Sequence, residues 1–151
     1  MAEEINIEEM KKAIGKPTGS STIEIEKGMI KKFAESLEDP NPLWQDEEYA
    51  KKARFGGIVA PPGLLMAAMM LGERAPLPFA MPMARILDGG GEWEYFKPMR
   101  PGDVLTVASK LHDIREREGK MGKMLFMVTE TTWTNQNNEL VARALGTLIN
   151  Y

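Results

Sequence analysis

The chain contains no cysteine, which removes disulfides, thiolate metal sites and cysteine nucleophiles at once. It contains a single histidine, His112, so proton transfer near neutral pH has few possible carriers. No apolar run approaches the ~20 residues that span a bilayer; the strongest, Gly63 to Leu71, falls far short. No basic tract is present either. Nineteen Lys and Arg stand against 22 Asp and Glu, the net charge is −3 and the signs are interspersed, which argues against tracking a phosphate backbone. The N-terminal MAEEINIEEMKK is acidic and lacks the cationic-then-apolar layout of a secretion signal. Internal repeats and low-complexity linkers are missing as well. Together these absences lead to the expectation of one domain over residues 1–151, cytoplasmic, with no nucleic-acid or membrane partner, no metal and no cofactor. A chain of this length buries roughly two thirds of its unfolded surface, so no covalent staple is required.

What is there reads first as short helices. Asn6 can cap a helix carrying Ile7, Met10 and Ile14, stopped by Gly15-Lys16-Pro17. Ser21 to Ile25 alternates as a short strand. From Lys27, the residues Ile30, Phe33, Ala34 and Leu37 form one apolar stripe of a second helix. It ends before Asp39-Pro40-Asn41-Pro42, where two prolines forbid continuation. Asp46 can cap a third helix through Ala53, and Ala60-Pro61-Pro62-Gly63 opens a fourth, LLMAAMMLGERA, apolar nearly all round and ended by Gly72 and Pro76. The remainder reads as β: Ala84 to Lys97 with a bulge at Gly89-Gly90-Gly91, then Val104 to Arg117, Lys123 to Thr134 and Leu140 to Tyr151, the last three as an antiparallel meander. The economical architecture is α+β, a curved antiparallel sheet wrapped around one long apolar helix, the hot-dog arrangement. Its strand edges need covering, so a dimer at least is expected.

Residues 33 to 65, FAESLEDPNPLWQDEEYAKKARFGGIVAPPGLL, carry a more specific signal. Phe33, Ala34, Asp39, Asn41, Pro42, Asp46, Tyr49, Ala50, Phe55, Gly56 and Ala60 match, in order, the signature of the MaoC-like (R)-specific enoyl-CoA hydratases. The segments FKPMRPGDVLTV and TNQNNELVARALGTLINY also resemble that family's strands. The resemblance implies a hot-dog fold and syn addition or removal of water at a 2,3-unsaturated acyl thioester, on coenzyme A or a carrier protein. It implies catalytic positions at Asp39 and Asn41, and an oxyanion-holding N–H at Gly63 or Leu64, where a helix dipole is positive. Pro62, Met66 and Trp44 join Gly63 and Leu64 as implied substrate-binding positions.

The chain departs from that signature where it matters. Trp44 stands at the catalytic histidine, and an indole N–H donates a hydrogen bond but accepts no proton near pH 7. Ala60-Pro61-Pro62-Gly63 replaces an Ala-His-Gly element, losing a second histidine and adding a residue. This form resembles the histidine-lacking halves of two-component MaoC-like dehydratases, which pair with a catalytic hot dog. The expected function is therefore a subunit of an enoyl-CoA hydratase or 3-hydroxyacyl thioester dehydratase. The expected partner is a catalytic MaoC-like subunit, with a homodimer as the other assembly. Two other readings stand beside it: a self-sufficient hydratase or thioesterase using Asp39 or Asp46, and a non-enzymatic thioester-binding or assembly protein.

Each residue also has a plainer role open to it. Asp39 before Pro-x-Pro is a common turn and cap former. Trp44 can pack at an interface core or line an acyl tunnel. Met66, Met69, Met70, Met81 and Met83 can line that tunnel or simply pack. Arg54, Arg85 and Arg100 can meet coenzyme A phosphates or stay solvated. His112 reads as an ordinary strand histidine.

Overall fold

The computed structural model describes residues 6–71, 85–120 and 122–151. Asn6 caps α1 (Ile7–Lys11), its side-chain oxygen accepting the Glu9 N–H at 3.1 Å. α2 (Lys27–Ser36) buries Ile30 and Ala34 and half-buries Phe33. Leu37, expected on the same stripe, is instead 60% exposed. It lies past the last helical residue, and Glu38 then takes a left-handed backbone (φ 52°) that turns the chain away. A 3₁₀ turn at Pro42–Trp44 follows, which no periodicity announces. Asp46 caps α3 (Glu47–Lys52) by accepting the Tyr49 N–H at 3.0 Å, as its sequence predicts. α4 runs Leu64–Leu71, and the stop expected at Gly72 and Pro76 lies outside the described residues.

The first strand, β1, is longer than its alternation suggests, spanning Pro17–Glu24 rather than Ser21 to Ile25. It contains few apolar residues, so its pairing with a neighbour defines it, from Glu24 opposite Val104 to Pro17 opposite Lys110. β2 (Ile86–Tyr95), β3 (Val104–Gly119), β4 (Gly122–Thr134) and β5 (Leu140–Asn150) complete one antiparallel sheet in the order β1-β3-β4-β5-β2. The expected start of β2 at Ala84 falls outside the described residues. The glycine run does form a bulge, between Asp88 and Gly91. A β-carbon on Gly89 would sit 2.8 Å from Thr147 Cγ2, so only glycine lets the bulge lie flat on β5.

One face of the sheet is the core. Leu105, Val107, Trp133, Val141, Ala142 and Ala144 pack there against Ile25, Ile30, Ala60, Leu64 and Leu65. Trp93 stacks on Trp133 with ring centroids 5.1 Å apart. A second cluster joins Met10 and Ala13 beside α1 to Leu111, Ile114, Leu125 and Met127. α4 is embedded on one side only: Leu64 and Leu65 are 3% and 0% exposed, whereas Met66 is 51% exposed. The helix is thus less fully enclosed than its composition suggests. Among the described residues, no helix is long and apolar enough to cross a membrane.

Candidate functional site

The loop after α2 is built by Asp39 and Asn41 acting on their own backbone. Asp39 N–H donates to Ala34 O at 2.9 Å, closing the helix end. Asp39 Oδ1 accepts the Asn41 N–H at 3.0 Å, and Asn41 Oδ1 accepts the Leu43 N–H at 3.1 Å. These are two consecutive side-chain turns of the kind Asp and Asn form next to proline. Asn41 is thereby spent on capping the 3₁₀ turn.

That turn brings Trp44 back over Asp39. Its indole Nε1–H donates to Asp39 Oδ2 at 2.8 Å, while the half-buried ring packs against the main core. Both carboxylate oxygens of Asp39 therefore hold N–H groups within five residues. The loop is tied to the next segment where Val59 N–H donates to Leu43 O at 3.4 Å. Ala60 N–H donates to Met99 O at 2.8 Å, which fixes the approach to Pro61.

At the entrance of α4, Pro61 is buried and Pro62 exposed. The Leu64 N–H donates to Pro61 O at 3.0 Å, so of the two expected oxyanion donors Leu64 is already engaged. Gly63 N–H has no partner among the described residues. Phe33 reaches from α2 to lay its ring on Gly63, with Cζ 3.5 Å from where a β-carbon would stand. The structure thus joins Asp39, Asn41 and Trp44 in one loop and sets that loop beside the Pro61–Leu64 entrance through Phe33 and Val59. Of the methionines, Met66 faces outward and Met69 packs on the core; Met81, Met83 and the Met70 side chain lie outside what the structure describes. Arg54 and Arg100 flank the turn at Phe55–Gly57. Arg85 sits apart, its backbone bonded to Tyr151.

Two features escape sequence reasoning. The Trp44–Asp39 bond is one; its only sequence signal is a donor-only side chain five residues after a carboxylate in a proline loop. The other is a charged cluster on the face of the sheet opposite the core. Glu130 on β4 accepts from Arg143 Nη2 at 2.7 Å and pairs with Lys110 Nζ at 2.8 Å, and Arg143 also reaches Glu94 at 3.1 Å. Hydrogen bonds from Lys110 and then Arg143 hold the Glu130 carboxyl below its ordinary value. His112 Nδ1 lies 4.0 Å from the same carboxylate, so the one histidine belongs to this cluster and not to the Asp39 loop. Among the described residues no group of three or more His, Cys, Asp or Glu is arranged to hold a metal ion.

A five-stranded antiparallel sheet with α4 on its core face, and an Asp-x-Asn-Pro loop beside that helix's entrance, defines the hot-dog fold of the MaoC-like dehydratases. The chain belongs to the FAS1-like dehydratase domain region family, whose profile matches residues 12–144. It is 30% identical over 114 residues to a UPF0336 protein of Thermobifida fusca, covering 74% of each chain. It is 30% identical over 139 residues to a probable enoyl-CoA hydratase alpha subunit of Thermomonospora curvata, covering 82% of this chain and 44% of that one. Among solved structures it resembles the MaoC-like dehydratase from Rhodospirillum rubrum, with TM-score 0.72, 28% identity and 92% of both chains covered. It also superposes on a chain of the ChsH1-ChsH2 complex from Mycobacterium tuberculosis, with TM-score 0.79, 20% identity, and 97% and 93% covered.

Proposed function

We propose that this chain is the non-catalytic half of a two-component hydro-lyase that adds water to, or removes it from, a 2,3-unsaturated acyl thioester. The bond from Trp44 Nε1 to Asp39 Oδ2 carries the reading. Hydration requires one group to take a proton from water and an acid to protonate the α-carbon. Trp44 accepts no proton, and Asp39 uses both oxygens to hold its own loop. The base and acid then come from a second hot-dog chain that keeps an Asp-x-Asn-Pro-x-His segment. What this chain retains is the Gly63 N–H at the start of an eight-residue apolar helix, fit to hold a thioester oxygen or to shape the acyl path. The name of the Thermomonospora curvata relative, an alpha subunit, and the two-component ChsH1-ChsH2 assembly support this division of labour.

The test is hydration of a 2,3-enoyl-CoA, followed by loss of its ultraviolet absorbance. The purified chain alone is expected to give no turnover above background. Adding a MaoC-like chain that keeps an intact Asp-x-Asn-Pro-x-His segment is expected to give a mixed oligomer with robust turnover. Efficient catalysis by the lone chain would overturn the proposal.

A further inference from the structure

The face of the sheet that turns away from the core is creased along one row of residues. β3 bulges between Leu111 and Asp113, where His112 is the extra residue, and β2 bulges between Asp88 and Gly91. The register sets the two bulges level. Asp113 lies opposite Val128, Val128 opposite Thr147, and Thr147 against the Gly89 end of the β2 bulge. The crease is a trough of about 530 Å³ with Val128, Leu145 and Thr147 along its floor. Its two flanks are unlike. The β3 flank carries Lys110 and His112, both side chains close to half exposed. The β2 flank carries no side chain along Gly89, Gly90 and Gly91 and then presents Glu92, an exposed carboxylate with no cation partner among the described residues. The other carboxylates of the trough are neutralised within the chain, Asp113 by Arg115 and Glu130 by Lys110 and Arg143. Lys110 and Glu92 stand in one row, joined through Glu130 and Leu145.

We propose that this face packs on the same face of a second copy of the chain, about a two-fold axis that runs along the strands between β4 and β5. A symmetric contact needs a patch that fits itself. Such an axis lays β3 of one copy over β2 of the other and keeps every row at its own level. His112 of each copy then fills the gap over the other copy's Gly89–Gly91, a knob on one flank meeting a hole on the other. Lys110 of each copy faces the other copy's Glu92 and supplies the cation that this carboxylate lacks. Opposed charges of this kind fix register and exclude other orientations. An axis across the strands would lay β3 on β3 and offer neither match. The apolar floors meet at ~10 Å, the spacing of stacked sheets. The ~30° between aligned sheets displaces the flanks by about one residue, within reach of lysine and glutamate side chains. The contact lies on the side of the sheet opposite α4 and leaves the β2 edge free, so it adds to pairing with a catalytic chain and does not compete with it.

Cross-linking tests the contact without background, since the chain has no cysteine of its own. Chains carrying His112→Cys are mixed with chains carrying Glu92→Cys, both at exposed positions, and treated with a short bis-maleimide. Within one copy the two sites are three strand spacings apart, about 14 Å. The mixture is expected to yield covalent dimers of mixed composition, at least tenfold more than either variant yields alone. No such excess overturns the inference. An excess that disappears when a catalytic MaoC-like chain is added gives the face to that chain and overturns it too. Sedimentation equilibrium is the second arm. Glu92→Lys sets two cations against each other across the contact, and it is expected to halve the assembled mass at concentrations where the parent stays whole, with an unchanged circular dichroism spectrum. Parent mass in that variant overturns the inference. The proposed function is judged by turnover and stands or falls separately.

Discussion

Trp44 fastens its own loop to the core. Its indole N–H satisfies Asp39 Oδ2 at 2.8 Å, and its ring adds packing against the core. A hydrogen bond to a charged acceptor contributes about 1.5–3 kcal/mol when buried, and half-burial reduces that to about 1 kcal/mol here. Trp44→Phe keeps the ring and removes the donor. It is expected to lower the thermal midpoint by about 2–4 °C per kcal/mol for a chain of this size, measured by calorimetry. Asp39→Asn is expected to destabilise similarly, because one of the two N–H groups loses its acceptor. Under the proposed division of labour, turnover of the mixed oligomer is expected to stay within about twofold. A thousandfold loss of turnover with the complex still assembled would return Asp39 to the chemistry.

The sheet shows how an element gathers charge that the linear sequence scatters. Lys110, Glu130, Arg143 and Glu94 come from four strands, and the antiparallel register sets Lys110 opposite Glu130 and Arg143 opposite Glu94. Glu130 is held mostly ionised by these cations, its folded pKa lying below the unfolded value. A depressed carboxyl contributes stability that is present above its unfolded pKa, about 4.3, and is lost as pH falls through the folded value. Glu130→Gln is therefore expected to be less stable than the parent at pH 7, with the gap closing below about pH 4. Urea midpoints at the two pH values measure this. A gap independent of pH would mean that Glu130 acts by shape alone.

At the scale of the whole molecule, one side of α4 is seated on the sheet while Met66 remains outside, and apolar side chains crowd the ends of β2. Ile86, Leu87, Tyr95 and Phe96 are each between 41% and 56% exposed. β1, the other edge of the sheet, begins with Pro17 and is mostly polar, so it is blunted against pairing. An assembly that covers β2 fits the proposed division of labour. Anything that binds the folded state raises its stability by mass action. Addition of the catalytic partner is accordingly expected to raise this chain's melting temperature in proportion to the logarithm of partner concentration, as scanning calorimetry would show. An unchanged midpoint at saturating partner would argue that the two chains act apart.

Much of this was legible before any coordinates. Helix caps at Asn6 and Asp46, the glycine bulge, the three-strand meander and the apolar α4 are local signals, set by backbone preference and residue period. The loss of the histidine at Trp44 is equally plain, because it concerns which atoms exist. The length of β1 was hidden, since a polar strand is defined by its neighbour and not by its own alternation. So was the exposure of Leu37, which depends on where a helix stops. The hydrogen bond from Trp44 to Asp39, the ring of Phe33 over Gly63, and the arginines beside the Phe55–Gly57 turn were decided only by folding. Each joins groups whose separation in the chain says nothing of their separation in space. The sequence by itself determined which side chains are available; the tertiary structure decided what those groups are bonded to, because hydrogen bonds and ion pairs act over a few ångströms and only packing sets those distances.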